Sequence, residues 1–136
     1  MSPQLGVQSI NNSVGIQNEA HSNATINNNT ISLGIVGIAC SSSSPIITFN
    51  NITFNQWGGV CSNKFELPDI DWGPSDPELH WNNIHDNREW NLQNLNDSTT
   101  IDARWNYWDP TPPAGIDGLV DWTGYLTSPI EEAGPQ

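Results

Sequence analysis

The strongest constraint on this chain is a recurrence. Gly15-Ile16, Gly37-Ile38 and Gly59-Val60 follow one another at equal intervals. Between them fall Asn pairs ahead of an apolar residue: Ile10-Asn11-Asn12-Ser13-Val14, Ile26-Asn27-Asn28-Asn29-Thr30-Ile31, Phe49-Asn50-Asn51-Ile52 and Trp81-Asn82-Asn83-Ile84. Residues 46–54 are β-branched and aromatic, bounded by Pro45 and Asn55, which reads as strand. A fixed period of this length without a helical pattern favours a parallel solenoid over a hairpin sandwich, whose turns come more often. Each coil would hold three short strands and three turns, and would bury its apolar face only by stacking on its neighbours. Asn in successive turns can then form amide ladders along the stack, as stacked identical side chains do elsewhere.

The period breaks twice. Ile26 follows Ile10 too soon for a full period, so the first unit is irregular. The interval from Val60 to Leu92 is too long by nearly half a period. The excess falls in 63–77, with Pro68, Gly73, Pro74 and Pro77 and the acids Glu66, Asp69, Asp71 and Asp76. This is a loop pushed out of the stack, where function is most often carried. Residues 78–87 and 89–95 read as strands of the next coil, 97–100 as a turn, and 101–104 as the opening of a terminal layer. Trp105, Tyr107 and Trp108 then arrive together, and an open stack needs a lid. Residues 105–130 are expected to supply it, and 131–136 to fray. The expected organisation is coils over 1–109, with 63–77 inserted, and a capping segment and tail over 110–136.

Polarity here comes from Asn, of which there are eighteen, with Ser and Thr, and not from charge: charged residues are 13% of the chain. Asn suits turns and disfavours helix interiors. Net charge is −12, with Lys64, Arg88 and Arg104 the basic residues. Phosphate-backbone binding needs clustered cations, so nucleic acid is not expected as a partner. Anionic membranes are disfavoured for the same reason, and no apolar run is long enough to span a bilayer. No signal peptide is read at Met1-Ser2-Pro3. An acidic, Lys-poor surface suits an extracellular or cell-surface setting. Cys40 and Cys61 form a disulfide or remain two buried thiols; the spacing leaves both open.

The closing residues Ala103-Arg104-Trp105-Asn106-Tyr107-Trp108-Asp109, with the Gly-apolar strands and Asn-Asn turns, resemble right-handed parallel β-helix proteins of the pectate-lyase-like fold. Many of those close with Ala-x-x-Asn-Tyr/Trp-Trp-Gly, a Pro/Gly loop and Val-Asp-aromatic-x-x-x-Leu. That last element is matched here by Val120-Asp121-Trp122 through Leu126, while Asp109 stands in place of the Gly. The resemblance implies an all-β, right-handed parallel β-helix of about four to five coils with an aromatic C-terminal cap. The family's members have more coils and a helical N-terminal cap, so the resemblance covers a C-terminal portion of such a domain.

Carbohydrate is the substrate class the resemblance implies, since lyases, epimerases and polygalacturonases use the fold. Lyase chemistry needs a Lys or Arg base, often with Ca²⁺, and three basic residues supply it poorly. Arg104 reads better as an ion pair with Asp102 or a stack on Trp105. Asp69 and Asp71, about 6–7 Å apart along an extended segment, fit a hydrolase pair, but the polygalacturonase Asn-Thr-Asp, Asp-Asp and His-Gly elements are absent. No catalytic residue is assigned. Glu66, Asp69, Asp71 and Asp76 are the candidate ligands for Ca²⁺. His80 and His85, five apart, fit neither a helix face nor a strand face as a zinc pair. Among the aromatics, Trp72, Trp57 and Trp90 are the candidate glycan contacts, Trp72 being expected to be the most exposed. Core or cap is nevertheless the favoured reading of these rings, with Trp81 and Trp90 filling the coil core and Trp105, Trp108 and Trp122 plugging its end. Five Asn-x-Ser/Thr sequons, at Asn11, Asn23, Asn28, Asn51 and Asn96, arise readily in so Asn-rich a chain and imply no glycosylation.

The reading is therefore a non-enzymatic extracellular module that binds polysaccharide or associates with itself. The alternatives are the C-terminal part of a polysaccharide-active enzyme and a filament subunit stacking end to end.

Overall fold

A computed structural model describes residues 8–10, 13–64, 66–67, 70–109 and 113–136. Its strands, in chain order, are β1 (Gln8–Ile10), β2 (Val14–Glu19), β3 (Thr25–Asn27), β4 (Thr30–Ser32), β5 (Val36–Ser41), β6 (Ile46–Thr48), β7 (Asn51–Thr53), β8 (Gly58–Asn63), β9 (Glu66–Leu67), β10 (Ile70–Asp71), β11 (Glu78–His80), β12 (Asn83–His85), β13 (Trp90–Asn94), β14 (Ile101–Asp102), β15 (Tyr107–Asp109), β16 (Ile116–Asp117) and β17 (Val120–Asp121). They wind into a parallel β-solenoid of about four turns with three faces. One sheet is β1-β4-β7-β12-β15, the second β2-β5-β8-β13-β16, the third β3-β6-β11-β14-β17. No helix occurs among the described residues.

The recurrence sets the register. Val14 pairs with Val36 and Val36 with Gly58, one period apart each time; Gly58 then pairs with Trp90 across the longer interval. The extra residues leave the column as an antiparallel hairpin, β9 against β10. Inside, like stacks on like: Ile38, Val60 and Leu92 on one face, Ile31, Ile52, Ile84 and Trp108 on the next, Ile26, Ile47 and Leu79 on the third. All of these are buried. Burying a Leu or Ile side chain contributes about 1.5–3 kcal/mol, but only once the next coil is in place.

The glycines of the recurrence sit where the chain enters the second sheet. A Cβ on Gly37 would lie 2.6 Å from the Gly59 carbonyl oxygen, and one on Gly59 would lie 2.5 Å from that of Asn91. Only a residue without a side chain lets consecutive coils approach so closely.

Buried polar ladders bend the chain. Asn29, Asn50, Asn82 and Asn106 form one: the backbone N–H of Asn50 donates to Asn82 Oδ1 (2.9 Å), and that of Asn82 to Asn106 Oδ1 (2.9 Å). Asn55, Asn87 and Asn91 form a second. Ser43, Ser75 and Asn96 form a third. The 46–54 stretch is thus two strands, with the corner at Phe49-Asn50.

Winding continues past Asp109. β16 pairs with β13, β17 with β14, and Leu126 bridges to Tyr107, so the lid is itself a looser final coil. Trp108 fills the core beneath it, fully buried. Trp105, Trp122 and Trp81, which the sequence suggested as plug or core, are 37%, 38% and 40% exposed. Their positions fall on corners and on the closing coil, where an indole has a wall on one side only.

The C-terminal residues do not fray. They turn back along the outside of the first sheet, across three coils. Asn83 Nδ2 donates to the Ile130 carbonyl (3.0 Å), Asn51 Nδ2 to that of Ala133 (3.2 Å), and Asn28 Nδ2 to that of Glu132 (3.1 Å). Gly134 N–H donates to the Phe49 carbonyl (2.8 Å). Outward-facing Asn residues make this strap possible: at Asn50-Asn51 and Asn82-Asn83 the first of the pair turns inward to the ladder and the second outward to the tail.

Candidate functional site

One outer corner carries bulky aromatics in consecutive coils: Phe49, Trp81 and Trp105, each immediately before a ladder Asn. All three have positive φ, +56°, +60° and +65°. That region is costly for side chains of this size, about 1–3 kcal/mol each. The stack compensates, since Phe49 N–H donates to the Trp81 carbonyl and Trp81 N–H to that of Trp105, both at 3.1 Å. The Trp81 and Trp105 rings stack at 5.7 Å and 18°, and the Arg104 guanidinium lies 4.6 Å from the Trp105 ring centre. The strap forms the opposite wall of a groove of about 730 Å³, lined by Phe49, Trp81, Leu126, Pro129, Ile130, Glu131 and Glu132, with Thr127 and Ser128.

Beside this corner, the outer face of the third sheet carries Glu78, Asp102 and Asp121 in register. Arg104 clasps Asp102 through Nε to Oδ1 (2.8 Å) and Nη2 to Oδ2 (3.0 Å). This bond, more than any other influence, holds the Asp102 carboxyl below the usual carboxylate range. Both sequence readings of Arg104, ion pair and aromatic stack, are realised together. Burial and the nearby Glu78 and Asp102 charges push Asp76 the other way, upward. His80 donates Nδ1–H to the Arg104 carbonyl (2.9 Å), which turns Nε2 toward Asp102 Oδ2 at 3.4 Å.

The suggested site residues are dispersed. Trp57 is 56% exposed, the most open of the tryptophans. Trp72 is half-buried, its ring 5.6 Å from His21, and so is less open than its loop position suggested. Trp90 is buried, lying over Gly58 so closely that a Cβ there would meet the indole at 2.3 Å. Of the loop acids, Asp69 and the Glu66 side chain lie outside the described residues. Asp71 pairs with Lys64 (3.1 Å), while Asp76 sits near Glu78 and Asp102. Cys40 and Cys61 are free thiols on opposite faces of the second sheet. Cys40 is in the core, where burial raises its pKa to about 12; Cys61 points outward toward Gln93.

The aromatic column escaped the sequence reading because its members lie in different coils, at unequal intervals, and their neighbours differ. The visible signal was an aromatic before the Asn pair at Phe49 and Trp81, and before Asn106 at Trp105. No protein-family model, curated protein or solved structure matches the chain.

Proposed function

We propose that this chain is a non-enzymatic, extracellular β-helix module that binds a neutral glycan strand, a reading in keeping with its resemblance to the pectate-lyase-like proteins. The groove between the aromatic corner and the C-terminal strap carries the proposal. Sugar rings present flat C–H faces and a rim of hydroxyls, which suits an apolar wall with hydroxyl and carboxylate groups opposite. Trp105 covers one face of Trp81, so Trp81 offers the groove its remaining face and its edge. Glu131 and Glu132, within a net charge of −12, would repel a polyuronate. The test is affinity electrophoresis against neutral polysaccharides (xylan, mannan, mixed-linkage glucan) and anionic ones (polygalacturonate, alginate). Retardation by a neutral polymer is expected for wild type and for Trp72→Ala, and should be lost in Trp81→Ala. Preference for a polyuronate, or equal retardation of Trp81→Ala, would sink the proposal.

A second reading, self-association, has its own support. Leu33, Ile35, Phe54 and Trp57 are 47%, 43%, 57% and 56% exposed at one corner of two neighbouring coils, where Leu33 bonds to Phe54 and Trp57 to Ile35 through the backbone. Four large apolar side chains exposed together form the kind of patch that marks protein contacts. Sedimentation velocity should show concentration-dependent association that Trp57→Ser weakens; a strict monomer at high concentration removes this reading.

A further inference from the structure

Parallel stacking also brings together polar groups that the sequence holds apart. His85 ends β12 and Asp109 ends β15, and the two are direct partners across adjacent strands. Asp86 follows at the corner, with φ of +57°. One ligand atom from each of the three lies within 4.8 Å of the other two. His85 Nδ1 and Asp86 Oδ2 are 2.6 Å apart, within hydrogen-bond distance. The Tyr107 ring stands edge-on to the imidazole at 5.6 Å and 75°, limiting its rotation. Among the described residues, no Lys or Arg balances the two carboxylates. Each basic side chain is engaged elsewhere: Lys64 with Asp71, Arg88 with Glu89 and Arg104 with Asp102.

We propose that His85, Asp86 and Asp109 bind one divalent transition-metal ion of the Zn²⁺ class. The donor set is one imidazole nitrogen and two carboxylate oxygens, which suits such ions; Ca²⁺ takes six to eight oxygens and gains little from an imidazole. Bonds of about 2.0–2.2 Å place tetrahedral donors roughly 3.3–3.6 Å apart. The His85–Asp86 contact therefore opens as the ion enters between the two groups, and the Asp109 carboxylate moves in. All three groups are at least partly exposed, so these are side-chain movements on a fixed backbone. Three protein ligands leave a fourth position for water. The site is separate from the loop acids and does not depend on the glycan reading.

The test is calorimetric titration of the tag-free chain with ZnCl₂, with Co²⁺ absorption as a report on coordination. One ion per chain is expected. His85→Ala and Asp109→Asn should each weaken binding at least about tenfold, since even losing an outer-shell partner does so, and should abolish the Co²⁺ visible band. His80→Ala and Asp71→Asn should bind as wild type does. Unchanged metal-free circular dichroism and melting would show that the His85→Ala fold is intact. Absence of stoichiometric binding by wild type, undiminished binding by His85→Ala, or loss in His80→Ala instead would overturn the assignment.

Discussion

Replacing Asn82 with alanine should destabilise the column by about 3–5 kcal/mol, a large fraction of the stability of a domain this size. The side chain is fully buried in the middle of the longest ladder. Its Oδ1 accepts from Asn50 N (2.9 Å) and Asn50 Nδ2 (3.1 Å). Its Nδ2 donates to the carbonyls of Ile47 (2.8 Å) and His80 (3.1 Å) and to Asn106 Oδ1 (3.0 Å). Alanine leaves the Asn50 backbone N–H buried and unpaired, which alone costs about 1–3 kcal/mol. Asn50 Nδ2 softens the loss, because it keeps the carbonyls of Ile26 and Thr48. The rung lies within the coils that the strap ties together, so urea unfolding should stay a single transition with a lowered midpoint. Asn51→Ala, which removes an outward amide, should cost far less. A loss under about 1 kcal/mol for Asn82→Ala would mean the ladder follows the fold and does not hold it.

Trp108→Ala should cost about 3–5 kcal/mol, and Trp108→Phe much less. The indole is the largest fully buried side chain, stacked on Ile84 beneath the final coil. Truncation opens a cavity between that coil and the column, whose partly buried Ile116, Val120 and Tyr125 then lose their support. Phenylalanine retains most of the apolar volume. It also removes a buried Nε1–H that has no hydrogen-bond partner among the described residues, a term that offsets part of the lost contact. Thermal melts of both variants decide the matter. Equal losses for Phe and Ala would overturn this account, because the retained apolar volume would then contribute nothing.

The fold was legible because the chain announces its register. Gly37 and Gly59 mark the strand on which consecutive coils approach closely, and the Asn pairs mark a corner; both follow from backbone geometry and survive any change of surface. What the chain could not announce is adjacency between coils. His85 and Asp109 lie a whole coil apart along the sequence and become neighbours through strand pairing alone. Weighing His80 against His85 compared residues on two different faces of the column. The tryptophans were harder still, because burial of an indole depends on what lies over it. Trp90 lies over a glycine and is buried, while Trp57 is the most open of the tryptophans, and the sequence offered both as glycan contacts. The frayed tail failed for a related reason: nothing in residues 131–136 shows the row of outward amides waiting at Asn28, Asn51 and Asn83.

That tail changes how the molecule comes apart. Stacked layers on their own peel from an end like coins from a roll, each leaving at little expense to the rest. A clasp fastened to three successive layers makes them leave together, so the fate of the corner at Asn28 is bound to that of the corner at Asn83.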